Sequence, residues 1–527
     1  MTQPRVLIAD SLSPRAAEIF AERGVEAVTR VGLKPDELIQ TIPEFDGLAI
    51  RSATKVTSEV LAAAPRLRVI GRAGIGVDNV DVPAATAAGV IVMNTPFGNS
   101  VTTAEHAVAM MFALARDIPA ADRSTRASKW EKSRFMGVEL TSKVLGLVGC
   151  GNIGGIVANR AIGLKMRVVA YDPYLSPERA EDMGVEKVDL DQLLARADFI
   201  SVHTPLNEST RNLLDAATLA KTKHGVRIVN CARGGIIDEA ALHAAIESGH
   251  VAGAALDVFA AEPARDNPLF ALEDVVVTPH LGASTAEAQE NVALQVAEQM
   301  ADYLTTGAIV NALNMASVTA EEAPKLLPYT RLCCELGSFA GQLTETGLGH
   351  VKVTFGGAAA ELNTRPLVAS LLQALLRPLT ASVNMVNAPV VARERGIDVE
   401  VTTRERVDEY LTLVRLTVGT ERGERSVAGT LVHGEESRIV EIRGIRMDAR
   451  LGPRMLYVRN KDLPGFIGTL GTILGDAKVN IATFFLGRER AGGEAIALLE
   501  IDQDVPAPVL QSIQAMPLVL QAKPLRF

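Results

Sequence analysis

Val144-Leu145-Gly146-Leu147-Val148-Gly149-Cys150-Gly151-Asn152-Ile153-Gly154 is the stretch on which the fold turns. The apolar run 144–148 reads as a buried parallel strand, and the glycines after it as a tight turn into a helix. Gly149 permits the turn, Gly151 admits a pyrophosphate against the backbone, and Gly154 lets the helix lie close on the sheet with its first N–H groups facing the phosphates. A second strand over 167–171 ends at Asp172, at roughly the 20-residue spacing of a carboxylate that accepts ribose hydroxyls. Asp172 would repel a 2′-phosphate, so the cofactor expected is NAD rather than NADP. Without the strand, helix and acid, the glycines alone would describe only a βα turn.

The 527 residues, 48% of them hydrophobic, predict a multidomain globular chain of about three or four domains at roughly 150 residues each. The net charge of −9 comes without a long basic or acidic run, which argues against nucleic acid or an anionic membrane surface as partner. Met1-Thr2-Gln3-Pro4-Arg5 leads directly into a short strand, with no signal-type apolar segment and no apolar run of about 18 residues anywhere. A cytoplasmic protein is the expectation. Cys150 and Cys231 fall in the nucleotide-binding half, and Cys333 and Cys334 are neighbours in a helical stretch. That distribution predicts neither disulfides nor a metal site.

The first hundred residues alternate short strands, clearest at 6–9, 47–50, 68–70 and 90–93, with helices, and they carry no nucleotide fingerprint of their own. A helix over 101–116 precedes the fingerprint, and one over about 284–304 returns the chain to the first domain, so the nucleotide domain is read as an insertion. From 316 to 451 the pattern changes to helices near 325–343 and 366–379, then strands at 398–402, 411–418 and 426–432. The last segment, 454–527, reads as βαββαβ, a ferredoxin-like module too small to be comfortable alone, so that pairing with a second copy is expected.

Hydride transfer to NAD needs a base for the hydroxyl proton and a cation to orient the oxygens. Arg233 follows the strand at 226–229, where ligands of open α/β sheets gather, and its guanidinium suits bidentate capture of a carboxylate. His280 likewise follows a strand, and a carboxylate partner would orient its ring and favour its protonated form. Glu262 is the candidate partner, although spacing does not place it there. Taken singly, an Arg before two glycines also fits a solvated helix end, and a strand-end His fits a satisfied core side chain.

Three stretches carry a resemblance: Val229-Asn230-Cys231-Ala232-Arg233-Gly234-Gly235, Leu256-Asp257-Val258-Phe259-Ala260-Ala261-Glu262-Pro263 and Pro279-His280-Leu281-Gly282-Ala283-Ser284-Thr285. Together with the fingerprint they resemble the D-2-hydroxyacid dehydrogenase family, in a long form that extends over essentially the whole chain. The resemblance implies an α/β fold with two Rossmann-like domains, the substrate-binding one over 1–98 and 283–315 and the NAD-binding one over 99–282. It further implies an α+β intervening domain over 316–452 and a ferredoxin-like ACT domain over 453–527. The activity implied is NAD-dependent oxidation of a small anionic 2-hydroxy acid, D-3-phosphoglycerate, to 3-phosphohydroxypyruvate, the first step of phosphorylated serine synthesis.

The same resemblance gives Arg233 to substrate orientation, His280 to acid/base catalysis and Glu262 to His280. Gly149, Gly151, Asn152, Ile153, Gly154, Asp172, Thr204, Cys231 and Asp257 fall at cofactor positions, Asp257 as carboxamide ligand, while His203 is read as structural. Arg51, Ser52, Gly74, Ile75 and Asn99 resemble substrate positions, the loop 71–78 offering backbone N–H groups to a carboxylate. Trp130 and Lys132 resemble a segment that reaches a neighbouring subunit's active site, in a homodimer or homotetramer. In the terminal module Asn460, Asp462, Gly465 and Asn480 match effector positions, with L-serine the effector implied, and Arg446 or Arg450 match an anion site of the intervening domain. Two rival readings stay open from the residues: a dehydrogenase for another D-2-hydroxy acid, including 2-oxoglutarate reduction, and a noncatalytic NAD-sensing protein.

Overall fold

The computed structural model describes residues 3–380, 382–407 and 410–527. It forms two compact units, one of residues 73–75 and 95–295, the other of the remaining chain. The larger unit begins with a five-stranded sheet in the order Glu26–Thr29, Arg5–Ile8, Gly47–Ile50, Val69–Arg72, Ile91–Asn94. Every pairing in it is parallel. Gly47–Ile50 and Ile91–Asn94 are buried along their whole length, as strands covered on both faces must be. The expected strands lie within a residue or two of these. Glu26–Thr29 was not expected, because an edge strand with only partly buried side chains lacks the apolar run that marks the others.

The smaller unit is a seven-stranded parallel sheet ordered Val275–Val277, Val251–Leu256, Val226–Asn230, Phe199–Val202, Val144–Val148, Arg167–Tyr171, Glu186–Lys187. The chain order reverses on either side of Val144–Val148, which makes its carboxyl end the switch point where α/β ligands bind. Two helices pack on one face of the sheet. In Asn152–Gly163, Val157, Ala158 and Ala161 face the sheet, and in Ser100–Ala115, Ala104, Ala107, Met110 and Met111 do. Small side chains at the contact let the helices approach closely.

In the larger unit, residues from 322 onward build two further sheets. One has six strands ordered Asp398–Arg404, Leu348–Gly357, Thr412–Thr420, Gly423–Val432, Glu436–Ile442, Ile445–Ala449, antiparallel except for the first pair. Leu348–Gly357, Glu436–Ile442, Ile445–Ala449 and the short helix Ala388–Glu394 were not anticipated. The two late strands are rich in Glu, Arg and Asp, residues depleted from strands, and they join the sheet through pairing rather than propensity. The second sheet, ordered Ile481–Arg488, Glu494–Ile501, Arg454–Lys461, Val519–Arg526, is fully antiparallel and carries helices Phe466–Asp476 and Ala507–Gln514, the expected βαββαβ. Gln342 ties the two regions, bonding the backbone of Arg526 at both its N–H and its carbonyl (2.9 and 2.8 Å).

Helices Glu322–Leu343 and Thr364–Leu376 pack at close range because Gly337 and Gly341 have no side chain: a Cβ on either would lie 2.3 Å from the carbonyl oxygen of Leu371 or Leu375. Gly337→Val is expected to cost about 1–3 kcal/mol by overpacking, read as a lower denaturation midpoint. Gly347→Ala, at an exposed site with open space, should change it by less than about 0.5 kcal/mol.

Candidate active site

The glycine loop is positioned by backbone bonds. Gly149 has φ +92°, its N–H donates to the Tyr171 carbonyl (2.9 Å), and a Cβ there would stand 2.6 Å from the His203 carbonyl oxygen. The turn is therefore pressed against His203 and Thr204, which explains the glycine and puts Thr204 beside the loop. A Cβ on Gly154 would meet the Gly149 oxygen at 2.2 Å, whereas one on Gly151 would face open space. Helix Asn152–Gly163 starts at Gly151 with no side-chain cap, so the N–H groups of its first turn, at Asn152 and Ile153, remain available to an anion. The Asp172 carboxylate accepts the N–H groups of Cys150 and Tyr174, both at 2.8 Å, and is held at the second strand's end with lone pairs to spare. An uncapped helix end, an open glycine and an anchored acid together fit a dinucleotide.

His203 is half-buried, its Nε2 bonded to Ser201 Oγ at 2.8 Å, and desolvation of the ring pushes its pKa down to about 4. It is a neutral structural side chain. Cys150 is pushed up to about 11 by burial and by Asp172, and the Cys231 thiol is raised by burial and then by Asp257. Neither is a thiolate, and the Cys231 sulfur lies within 4.8 Å of the nearest side-chain ligand atoms of His106 and Asp257.

At the reaction end, His280 Nδ1 lies 2.7 Å from Glu262 Oε2, while Glu262 Oε1 accepts the Phe259 N–H at 3.0 Å. That hydrogen bond raises the pKa of His280 against the lowering effect of burial. Burial alone would push Glu262 up, but the bonds from His280 and Phe259 outweigh it and hold the carboxylate below its ordinary value. Arg233 is brought near this pair by Gly234, where a Cβ would fall 1.8 Å from the Phe259 oxygen. The Arg233 charge lowers the His280 pKa slightly, and Asn230 Nδ2 holds the Arg233 carbonyl at 2.9 Å.

Asp257 sits in a hydrogen-bond network of its own. Its carboxylate is 0% exposed and accepts from Thr278 Oγ1 (2.6 Å), Leu281 N (2.6 Å) and Gly282 N (2.8 Å), with His106 Nε2 at 3.2 Å. These bonds also make Asp257 a positioning residue for the loop that carries His280. His106 and Thr278 are participants that sequence reasoning missed. A single His on an Ala- and Met-rich helix gives no signal of its distant partner.

The other expected residues are distributed. Asn99 is buried in the smaller unit, its Oδ1 without a partner. Gly74 belongs to that unit too, but its N–H is taken by Thr95 Oγ1 at 2.7 Å, so it does not present the free donor expected of it, and Ile75 follows it there. Arg51 and Ser52 belong to the larger unit, where Asp10 fixes their loop by accepting Arg51 N (2.6 Å) and Thr54 Oγ1 (2.6 Å). Lys132 is exposed beside Trp130, which is 85% exposed, on a segment anchored by Glu131 to Ser124 (2.7 Å) and by Arg134 to Glu273 (2.6 Å).

In the last module Asn460 is buried, with Oδ1 unpartnered and Nδ2 on the Lys461 carbonyl (2.9 Å). Asp462 accepts from Arg488 at 3.2 Å, Gly465 opens the following helix at φ +94°, and Asn480 Nδ2 bonds Asp502 at 2.7 Å. Arg450 is paired with Glu436, which removes it as an unpaired cation.

Known proteins carry these parts in the same order. Residues 108–282 match the model of the NAD binding domain of D-isomer specific 2-hydroxyacid dehydrogenases, which defines the class. Residues 325–443 match the D-3-phosphoglycerate dehydrogenase intervening domain, and residues 454–517 the ACT domain. The D-3-phosphoglycerate dehydrogenase of Synechocystis is 44% identical over 514 residues, spanning 97% of this chain and 93% of its own. That of Mycobacterium tuberculosis is 45% identical over 518 residues, 98% of each chain. The chain belongs to the D-3-phosphoglycerate dehydrogenase family. A crystal structure of D-lactate dehydrogenase from Aquifex aeolicus, complexed with NAD and lactic acid, aligns with 57% of this chain and 95% of its own at TM-score 0.51 and 25% identity.

Two outcomes test the geometry. Glu262→Gln removes the group that raises the His280 pKa, so the acidic limb of the pH profile of kcat/KM for substrate oxidation should move to lower pH while kcat falls. Asp172→Ala should weaken NAD by about 10- to 100-fold in KM and narrow its preference over NADP, measured by steady-state kinetics with both cofactors.

Proposed function

We infer that this chain catalyses NAD-dependent oxidation of D-3-phosphoglycerate to 3-phosphohydroxypyruvate, the entry to phosphorylated serine synthesis, in the cytoplasm. The observation that carries the reading is the His280–Glu262 contact of 2.7 Å in a chain similar to D-3-phosphoglycerate dehydrogenases along nearly its whole length. We also propose the division into substrate-binding (1–98 and 283–315), NAD-binding (99–282), intervening (316–452) and ACT (453–527) domains.

NAD, held by the loop 149–154, the first turn at Asn152 and Ile153, Thr204 and Asp172, supplies the hydride acceptor. His280 keeps its Nδ1 proton on Glu262, which leaves the Nε2 lone pair as the base for the C2 hydroxyl proton. Glu262 stabilises the imidazolium as it forms, and Arg233 holds the carboxylate and the oxygen that becomes a carbonyl. Arg51, Ser52, Ile75 and Asn99 are the proposed substrate contacts, Gly74 shaping the loop that carries Ile75, with Lys132 contributed across a homodimer or homotetramer. An ACT domain is a small-ligand module, and L-serine is the effector proposed for Asn460, Asp462, Gly465 and Asn480.

NADH absorbance followed in both directions tests the assignment, comparing the phosphorylated pair with glycerate, hydroxypyruvate, lactate and 2-oxoglutarate at equal concentration. A preference for the phosphorylated pair of about tenfold or more in kcat/KM is expected, the scale of one desolvated charge-assisted contact. Preference for an unphosphorylated acid would discard the substrate reading. No turnover with any of them would leave an NAD-sensing protein.

A further inference from the structure

The five-stranded sheet places its second strand at one edge, its first strand next, and the third, fourth and fifth beyond. Connections therefore leave Arg5–Ile8 and Gly47–Ile50 on opposite sides, and the crevice outside the carboxyl ends of these two strands is the point where an open α/β sheet takes its ligand. Ile8 lies beside Ala49 in parallel register, and two residues further along Asp10 stands beside Arg51.

Two side chains hold the turn that starts there. Asp10 is 4% exposed, and its carboxylate accepts the N–H groups of Arg51 (2.6 Å) and Thr54 (3.2 Å) and the Thr54 hydroxyl (2.6 Å). From the other side, Asn79 Nδ2 gives both its hydrogens to carbonyls, those of Arg51 (2.7 Å) and Thr54 (2.6 Å). Each end of the arch 51–54 thus has its N–H on Asp10 and its carbonyl on Asn79, so the arch can neither slide nor flip without leaving a buried carboxylate short of donors. Ser52 and Ala53 are exposed between these ends, and among the described residues the Arg51 guanidinium bonds only the Ser11 carbonyl, at 3.4 Å, which leaves most of its donors for a ligand. Asn79 also directly follows the loop 71–78, and its own carbonyl accepts the Val56 N–H at 2.8 Å. A solvated turn needs none of this, whereas a turn that must present a cation at a fixed place does.

We propose that Asp10 and Asn79 are positioning residues for the substrate: without touching it, they set the arch 51–54 so that Arg51 and Ser52 meet its anionic end in one geometry. This rests on the proposed substrate reading, in which Arg51 and Ser52 are contacts. The planar fork of Arg51 captures a carboxylate or phosphate with two parallel bonds only when it is correctly aimed. A rotated arch would leave the cation present and misdirected, so the clamp governs affinity for the acid and leaves NAD, held by the other parallel sheet, unaffected.

Steady-state kinetics of the full chain, with D-3-phosphoglycerate and NAD each varied, test this in the isosteric Asp10→Asn and in Asn79→Ala, whose half-buried position makes it the milder change for folding. KM for D-3-phosphoglycerate should rise about tenfold in each, with kcat and the KM for NAD within about twofold of the parent, the pattern of binding lost equally from substrate and transition state. In an Arg51→Gln background either change should add less than about twofold, because a cation already removed cannot be misaimed. An unchanged KM for D-3-phosphoglycerate in Asn79→Ala would overturn the proposal, as would an equal rise in the KM for NAD or full additivity with Arg51→Gln. A parent that oxidises only an unphosphorylated acid would discard the phosphoglycerate reading, and the same split of KM values with that acid would then decide the clamp. A parent without turnover would overturn both.

Discussion

The Asp257 carboxylate has no exposed surface, and its burial is tolerable only because Thr278, Leu281 and Gly282 donate to it and His106 stands beside it. A carboxylate out of water is expensive unless its lone pairs are met, so these donors are not free to wander. They are also the residues on either side of His280. The Asp257 backbone carbonyl takes the His280 N–H at 2.9 Å, and between these anchors the histidine is held at φ +56°. A non-glycine residue in that conformation costs about 1 kcal/mol or more and persists only where its surroundings dictate it. The aim of the imidazole at Glu262 is therefore set by a second carboxylate, that of Asp257.

That hierarchy explains what could be read in advance. The turn at Gly149 and the acid at Asp172 are local devices, each next to the strand it terminates, and their spacing is fixed by the length of one βαβ unit. Arg233, Glu262 and His280 were recognisable by type and by position after strands, but their meeting depends on the loop packing that Gly234 allows against Phe259. Asp257 was legible as a site residue, but nothing in the chain order reveals that its carboxylate also anchors the loop of His280. His106 was invisible: its meaning comes from the sheet that brings helix Ser100–Ala115 over Asp257. In the later regions the charged strands Glu436–Ile442 and Ile445–Ala449 hid for a related reason, being stabilised by neighbours rather than by their own composition.

The intervening and terminal regions share more than a linker. Tyr457 in one packs edge-on against Phe339 in the other, and Gln342 bonds the last strand at both backbone groups of Arg526. Side chains of low flexibility at such a junction transmit displacement rather than absorb it, because a packed interface has few intermediate arrangements. Ligand binding on either sheet is in that sense an event for both.

Trp130 is the one tryptophan of the chain and is 85% exposed, on the segment that Glu131 and Arg134 fasten at its flanks. Its indole thus supplies a built-in optical label with no background from any other. In the isolated chain it should emit like an indole in water, and any surface that closes over this segment, from a second subunit or otherwise, would shift the emission to the blue. Assembly at this edge is consequently observable in the unmodified protein, by light alone.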